Sequence, residues 1–480
     1  MTMNVEMLSF EVENFKSFEK STIILSPLNV IVGPNGSGKT NLLESIKLAF
    51  DCVNYRGPTD YPFVPFWGYN NAVYRSEPGR NIHFKFEFRV LEYDILYEQL
   101  VTGEGGSLRF LEEKVLVKDY VEMRRVGSKL TIQYFPNFFK TISSDVTLMN
   151  YIRKERNIEV RRDEEKKGKT AFESSQNYTV LDESRSIFAV DIYHSFFGNE
   201  TRKERSYDLF EIHTNPVNDK IAYMRGIPIV LPIYIEILNN RNHKRIPLLD
   251  VYDFFRNDSL YLISYFGSRR LTGKVKKKNL LLRHNFIYEM KKPVPLNYNS
   301  EGAVNGEWAV AWLFKTFNEQ GKFSERIQRT MEDLFPGWKL GFKLTDEGNI
   351  ILKVLDESTP GSNFELYAPS LPDGFFKVLL VLIALEAKPS LLMIDELENS
   401  LHDTAIQYIL DSIRESGVYT IISTHSPLVI NSTNLEELRI LENRANHSTV
   451  RSVTDPDSTK KKLVELGITP SESWLYGELV

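Results

Sequence analysis

Residues 28–46 read LNVIVGPNGSGKTNLLESI. An apolar run from Leu28 to Val32 is followed by a glycine-rich turn and then by a helix-like stretch. The turn from Gly33 to Thr40 is a complete Walker A loop, in which a strand leads into a glycine-rich turn whose backbone amides point at phosphate groups. This stretch therefore predicts an α/β fold with a P-loop nucleotide site.

The side chains of the loop predict how the nucleotide would be held. Lys39 would neutralise phosphate charge, and Thr40 would offer its hydroxyl to Mg²⁺. We therefore expect ATP and Mg²⁺ as cofactors. The predicted nucleotide-binding residues of this stretch are Asn35, Gly36, Ser37, Gly38, Lys39, Thr40 and Asn41.

A second apolar run, Leu391 to Ile394, ends in the two carboxylates Asp395 and Glu396. The run is too short for a helix and is typical of a buried parallel strand that delivers acids to a sheet edge. Because strands often end in acids at a solvated rim, the pair alone does not decide between the two interpretations. As the partner of Walker A, Asp395 is the expected outer-shell Mg²⁺ partner, and Glu396 is the expected base for the attacking water.

Further motifs surround this carboxylate pair. The segment ENSLH follows it at residues 398–402, and an apolar run ends at His425. Upstream, residues 371–374 read LPDG and open a helical pattern. Walker A, signature loop, Walker B, D-loop and switch histidine in this order resemble the ABC ATPase superfamily. The resemblance implies that His425 is the switch histidine, although a lone histidine at a strand end is more often a structural cap. It also implies that Asp373 and Gly374 contact nucleotide held by a neighbouring head.

Within that superfamily, residues 8–18 (LSFEVENFKSF) and 35–44 (NGSGKTNLLE) resemble the branch of SMC, RecF and OLD proteins. The branch works by ATP-driven head dimerisation on or beside nucleic acid, often with a nuclease, and by this resemblance Lys16 is included among the nucleotide contacts. The signature loop departs from the branch, because Pro372 stands where serine is usual. Proline offers neither an amide donor nor a hydroxyl, so we expect slow hydrolysis or a clamp that holds ATP.

Composition excludes several classes of protein. The 480 residues include 59 basic and 64 acidic side chains, so no whole-protein charge favours nucleic acid or a membrane. One cysteine, Cys52, excludes an intramolecular disulfide and a multi-thiolate zinc site. No run approaches the length of a membrane span, and the N-terminal residues do not resemble a signal peptide. We therefore predict a cytoplasmic protein without membrane contact.

Sequence patterns suggest three domains. We predict an N-terminal ABC lobe at 1–139 with Walker A and a β-arm, a mainly helical insertion at 140–334, and a C-terminal ABC lobe at 335–480. Alternation from His83 to Val90 predicts a half-buried strand within an antiparallel β-subdomain. Gln99 lies in an apparent strand, on what we expect to be a solvated face, so no Q-loop residue is assigned. A hairpin is predicted from Trp338 to Leu355.

The predicted insertion has helical patterns near residues 146–160, 186–197, 232–239, 248–266 and 307–334. Sustained heptads are absent from the sequence, which argues against a long coiled-coil arm. Residues 269–292 carry nine basic side chains against Glu289, with Phe286 and Tyr288 among them. Such a stripe could bind a phosphate backbone or an acidic protein, and a merely solvated face is the alternative.

The segment after His425 is too short for the Toprim nuclease domain of many OLD proteins, and we interpret Asp455 to Asp457 as a turn. As an ATPase with no nuclease of its own, the chain resembles ATPase subunits of prokaryotic anti-phage defence systems. Its size and motif placement resemble AriA of PARIS, and PtuA of Septu is the other candidate. This implies head-to-head homo-oligomers, a separate Toprim or HNH nuclease subunit and a phage protein as trigger. The alternative is a RecF-type DNA-repair clamp that acts on nucleic acid. A nuclease in its own right is disfavoured, because no metal-spaced cluster is evident outside the ATP site.

Overall fold

The protein is described by a computed structural model that covers residues 5–55, 57–58, 61–77, 79–90, 93–135, 174–180, 184, 186–187, 191–193, 207–208, 279–298, 305–358, 364–389, 391–445 and 447–477. The chain forms two compact units. Unit 1 comprises mainly residues 3–22 and 48–274, and unit 2 comprises mainly residues 23–47 and 275–480.

The elements are numbered along the described part of the chain. The strands are β1 (Val5–Phe15), β2 (Phe18–Ile24), β3 (Leu28–Val32), β4 (Ile82–Val90), β5 (Tyr93–Thr102), β6 (Arg109–Val117), β7 (Val121–Val126), β8 (Lys129–Tyr134), β9 (Ser174–Val180), β10 (Asp191–Tyr193), β11 (Tyr207–Asp208), β12 (Asn279–Leu282), β13 (Val294–Pro295), β14 (Trp338–Leu344), β15 (Asn349–Asp356), β16 (Phe364–Tyr367), β17 (Leu391–Ile394), β18 (Thr420–Thr424), β19 (Leu438–Arg444) and β20 (His447–Ser452). The helices are α1 (Lys39–Val53), α2 (Tyr69–Ala72), α3 (Phe286–Met290), α4 (Gly306–Gln320), α5 (Glu325–Leu334), α6 (Asp373–Ala387), α7 (Asp403–Ser416), α8 (Pro427–Asn431), α9 (Pro456–Leu466) and α10 (Pro470–Leu475).

Unit 1 is built on a ten-stranded sheet with the order β11-β10-β9-β8-β7-β6-β5-β4-β1-β2. Neighbouring strands from β4 to β11 pair antiparallel, and so do β1 and β4. On β4, Phe84, Phe86 and Phe88 are fully buried while the residues between them are not. The antiparallel β-subdomain and the alternation predicted for this strand are confirmed.

Gln99 does not lie on a solvated face, so that prediction is wrong. Its side chain on β5 is fully buried, on the same face as Tyr97 and Val101. The amide Nε2 donates to the Ala49 carbonyl of α1 at 3.0 Å. The reason is the two-residue period of the strand, which places Gln99 with its apolar neighbours on the inner face.

Unit 2 is built on a six-stranded sheet with the order β12-β17-β18-β3-β19-β20. The strands β12, β17, β18, β3 and β19 run parallel, and β20 pairs antiparallel with β19 at one edge. Every residue of β3, β17 and β18 is buried, as expected for parallel strands covered on both faces. Parallel strands bring their carboxyl ends to one edge, where open α/β sheets bind ligands.

A second, smaller sheet and the helices complete unit 2. β14 and β15 form the predicted hairpin, and β13 and β16 each pair with β15. The helical pattern predicted after the signature loop is confirmed as α6, in which nearly every residue is buried. A helix that is apolar all round needs cover on all sides. No helix within the described ranges is long and apolar enough to cross a membrane.

The boundaries of the predicted insertion differ from those of the compact units. β12 joins the central sheet of unit 2, and the helices found within the predicted pattern 307–334 add Trp308 and Met331 to its core. The prediction of a helix at 186–197 is wrong for β10, because the backbone there forms a strand that pairs with β9. The patterns at 146–160, 232–239 and 248–266 lie outside the described residues, so the three-domain division as a whole stays a prediction.

Candidate nucleotide site

The Walker A loop connects β3, in the middle of the central sheet, to α1. The loop packs tightly against the neighbouring strand, since a Cβ at Gly33 would lie 2.5 Å from the Leu441 carbonyl oxygen and 2.6 Å from Ser37 Oγ. Only glycine fits there without movement of the backbone. The Ser37 carbonyl accepts from Ser448 Oγ on β20 at 2.7 Å, which fixes the middle of the loop.

Two side chains of the loop fit a phosphate ligand. Lys39 is nearly buried, and its Nζ donates to the carbonyls of Gly33 at 2.7 Å and Pro34 at 3.1 Å. Burial lowers the pKa of Lys39, while three nearby carboxylates act to raise it. Ser37 Oγ is buried with no hydrogen-bond partner in the part of the chain that the structure describes. A buried cation and an unsatisfied hydroxyl in one loop are the groups that an anionic ligand would satisfy.

The oxygen atoms of Thr40 and Asp395 meet at the sheet edge. Thr40 Oγ1 lies 3.1 Å from Asp395 Oδ2 and 3.3 Å from Oδ1, across 355 residues of sequence. Asp395 Oδ1 also accepts from Ser423 Oγ, at the end of β18, at 2.5 Å. Carboxylate and hydroxyl oxygens are the ligands that Mg²⁺ prefers. The residues present therefore fit a magnesium ion, although their role as ligands stays a prediction.

Glu396 is held through both its backbone and its side chain. Its backbone N–H donates to Ser423 Oγ at 2.8 Å, and Asn399 Nδ2 donates to its Oε2 at 2.6 Å. The backbone of Glu396 has a φ of 51°, which is uncommon for a residue other than glycine. Residues held in such conformations often belong to functional sites.

His425 is oriented by Glu398. The Glu398 Oε1 atom accepts from the His425 backbone N–H at 2.8 Å and lies 3.0 Å from its Nδ1, while Oε2 accepts from Thr424 Oγ1 at 2.8 Å. A proton on Nδ1 that points at Glu398 leaves Nε2 as the acceptor nitrogen of the neutral ring. The sequence had placed Glu398 in the D-loop without assigning it this contact. The sequence does hold a signal for this contact: Glu398 follows β17, which ends at the same sheet edge as β18.

The signature loop lies against the D-loop of the same chain. Pro372 precedes α6 and provides no side-chain cap, and Asp373 forms an ion pair with Lys291 at 2.6 Å. A Cβ at Gly374 would lie 2.5 Å from the Ser400 carbonyl oxygen. Nucleotide contacts by Asp373 and Gly374 in a neighbouring head stay predictions.

The remaining predicted nucleotide contacts are placed as follows. Asn35 and Gly36 are exposed in the loop, Gly38 is half-buried there, and Asn41 lies in the first turn of α1. Lys16 belongs to unit 1, where its Nζ lies 4.7 Å from the centre of the Phe66 ring. Its role as a nucleotide contact stays a prediction.

In the described part of the basic stripe, residues 279–292, two of the three basic side chains are paired with acids, and Lys292 is exposed. Arg283 forms an ion pair with Glu44 at 2.8 Å, and Lys291 pairs with Asp373. Phe286 is buried in the core rather than interleaved at the surface, because it lies on the inner side of α3. The six basic residues of the stripe from 269 to 278 lie outside the described residues.

Two family matches cover separate parts of the chain. Residues 9–212 match the family described as AAA domain, and residues 273–431 match the family described as AAA domain, putative AbiEii toxin, Type IV TA system. These two stretches contain the Walker A loop and the Walker B strand respectively.

Curated relatives are DNA replication and repair proteins RecF. The protein of Shouchella clausii is 30% identical over 114 residues, 24% of this chain and 28% of the relative. The protein of Streptococcus thermophilus is 25% identical over 255 residues, 49% of this chain and 66% of the relative. The matches thus cover less than two thirds of the length of these relatives.

The solved structures matched by this chain include an SmcHead bound to the C-winged helix domain of ScpA, with 12% identity, a TM-score of 0.41 and coverage of 95% of this chain and 99% of that chain. The SMC head domain from Thermotoga maritima has 14% identity, a TM-score of 0.35 and coverage of 94% and 100%. Because these TM-scores are low, the fold is assigned from the strand order and P-loop of the chain itself.

A parallel sheet that carries a Walker A loop, a Walker B strand and a signature helix in one unit has the fold of P-loop ATPases, and both family matches are described as AAA domains. Over part of its length the chain is also similar in sequence to RecF proteins.

Proposed function

We propose that the protein binds ATP with Mg²⁺ and hydrolyses it to ADP and phosphate. The observation that carries this proposal is the continuous set of hydrogen bonds from Thr40 through Asp395 and Ser423 to Glu396. These hydrogen bonds connect two parts of the site: the loop that would bind phosphate, and the residue whose carboxylate would accept a proton from water.

Each residue has a role in this proposal. Lys39 and the amides of the loop bind the phosphates, and Thr40 and Asp395 hold Mg²⁺, which would polarise phosphate oxygens. Glu396 accepts the proton of the attacking water, and Asn399 keeps its carboxylate in place. His425, oriented by Glu398, presents its other ring nitrogen to the terminal phosphate.

We expect turnover to be slow and to require a second copy of the chain. Pro372 removes the hydroxyl that a signature serine would provide, so contact with the partner's nucleotide falls to the Gly374 amide and the α6 N-terminus. Nucleotide-dependent head-to-head assembly follows, because a signature loop acts on the nucleotide of the neighbouring head.

The decisive experiment is a comparison of Glu396→Gln with the unaltered protein. The amide preserves size but cannot take a proton, so kcat should fall by about 100-fold or more while ATP binding persists. The matched control is Glu415→Gln at an exposed site, which should leave turnover unchanged. Equal turnover of Glu396→Gln and the unaltered protein would contradict the proposal.

For the cellular role we propose control of a separate nuclease subunit, of Toprim or HNH type, in anti-phage defence after a phage protein is sensed. It is supported by the resemblance of the motifs to defence ATPases and by the match of residues 273–431 to a description that includes a putative toxin. The protein would act in the cytoplasm. Purified alone it should leave DNA and RNA uncut, and metal-dependent cleavage that survives Glu396→Gln would contradict this role.

The second candidate is a RecF-like DNA-repair ATPase clamp, which the matches to RecF proteins favour. The two roles differ in their genetics. Defence requires an adjacent nuclease gene whose product is toxic together with this chain, whereas repair predicts sensitivity to DNA damage when the gene is deleted.

A further inference from the structure

Lys377 is a buried cation on α6 that the proposed chemistry leaves unused. Its side chain is 1% exposed, and its Nζ donates to the Glu396 backbone carbonyl at 3.3 Å. Within the described residues this carbonyl is its hydrogen-bond partner. Burial lowers the pKa of Lys377 to about 8, although the carboxylates of Asp395, Glu398 and Glu396 act to raise it.

The contact completes a set of restraints on one residue. The Glu396 N–H is held by Ser423, its carboxylate by Asn399 and its carbonyl by Lys377. The left-handed backbone at Glu396 persists only if its surroundings hold it there. Loss of one restraint would let the peptide rotate, and rotation of the peptide would move the carboxylate.

The same helix makes a second approach to this turn. Gly374 and Lys377 are three residues apart and lie on one face of α6. Gly374 packs against the Ser400 carbonyl, and Lys377 binds the Glu396 carbonyl. Both Glu396 and Ser400 have positive φ values, 51° and 66°. The first turns of α6 therefore touch both ends of the segment from Walker B to the D-loop.

We infer that Lys377 is a positioning residue for ATP hydrolysis, because the hydrogen bond from its ammonium to the Glu396 carbonyl orients the Glu396 carboxylate. The same hydrogen bond connects α6, the helix after the signature loop, to Glu396 of the same chain. The inference rests on the proposed function. A purely structural role is disfavoured, because an apolar side chain of similar length would fill this site without burying a charge.

The test uses full-length Lys377→Met and Lys377→Arg, with Lys388→Met as the control at an exposed lysine at the end of the same helix. A hydrogen bond from a charged donor contributes about 1.5–3 kcal/mol, so Lys377→Met should lower kcat about 10- to 100-fold. The Kd for ATP and the Tm should not worsen, Lys377→Arg should restore part of the rate, and Lys388→Met should match the unaltered protein.

A double variant distinguishes positioning from other roles. In the Glu396→Gln background, Lys377→Met should reduce the residual kcat no further, because the group that it positions is already lost. A further large loss there, or an unchanged kcat in Lys377→Met alone, would overturn the inference. If Glu396→Gln itself keeps full turnover, the proposed function fails first, and the two failures are thereby separated.

Discussion

Replacement of Lys377 by methionine should change how the stability of unit 2 depends on pH. The ordinary lysine pKa of 10.5 falls to about 8 in the folded protein because of burial. This difference corresponds to about 3 kcal/mol, since one pKa unit is about 1.4 kcal/mol. The group is almost fully buried, so little of this energy is screened by solvent.

The sign follows from proton binding. Between pH 8 and pH 10.5 the unfolded chain holds the Lys377 proton while the folded chain has released it. The unfolding free energy of the unaltered protein therefore gains up to about 3 kcal/mol across this window from Lys377. Below pH 8 both states are charged, so the full cost of burial is present and Lys377→Met should be the more stable protein. The difference in unfolding free energy in favour of Lys377→Met should shrink as pH rises.

Tryptophan fluorescence during urea unfolding provides the assay, because Trp308, Trp312, Trp338 and Trp474 lie in unit 2 and Trp67 in unit 1. The measured quantity is the difference in unfolding free energy between Lys377→Met and the unaltered protein at several values from pH 7 to pH 10.5. Lys388→Met serves as the control for the loss of an exposed lysine. A difference that stays flat or grows with pH would refute the reasoning.

Three further substitutions test the site. Lys39→Ala should weaken ATP binding in calorimetry about 10- to 100-fold, because it removes the buried cation of the loop; unchanged affinity would end the Walker A assignment. Glu396→Gln should accumulate an ATP-dependent oligomer in light scattering, since bound ATP persists, and a monomer with and without ATP would argue against shared sites. Gly374→Ala should lower stability by about 1–3 kcal/mol and prevent that oligomer, because its Cβ would lie 2.5 Å from the Ser400 carbonyl; a thermal melt equal to that of the unaltered protein would show that the turn can move.

Local patterns predicted those parts of the fold in which neighbouring residues decide the outcome. β3, the P-loop and α1 follow from one stretch of sequence, and the meeting of Thr40 with Asp395 follows from the common edge of parallel strands. The prediction placed β12 in the insertion because a run of three leucines does not reveal which sheet it joins. Tertiary pairing, not propensity, decides its place.

The contacts that escaped prediction depend on side chains far apart in sequence. Ser423, Glu398 and Lys377 hold catalytic candidates through hydrogen bonds, and no spacing rule encodes those partners. Gln99 is a different failure, since its apolar neighbours at two-residue spacing already indicated the inner face. The prediction of a solvated face followed the polarity of Gln99 and not the two-residue period of the strand.

The Ser423 hydroxyl has a single proton, and this gives the network at the sheet edge a direction. Because that proton is donated to Asp395, the oxygen is left as the acceptor for the Glu396 N–H. The dipoles therefore align head to tail, from amide to hydroxyl to carboxylate, and each bond polarises the next. A cation that draws electron density from Asp395 would therefore change the polarisation of the Glu396 peptide, with no atom required to move.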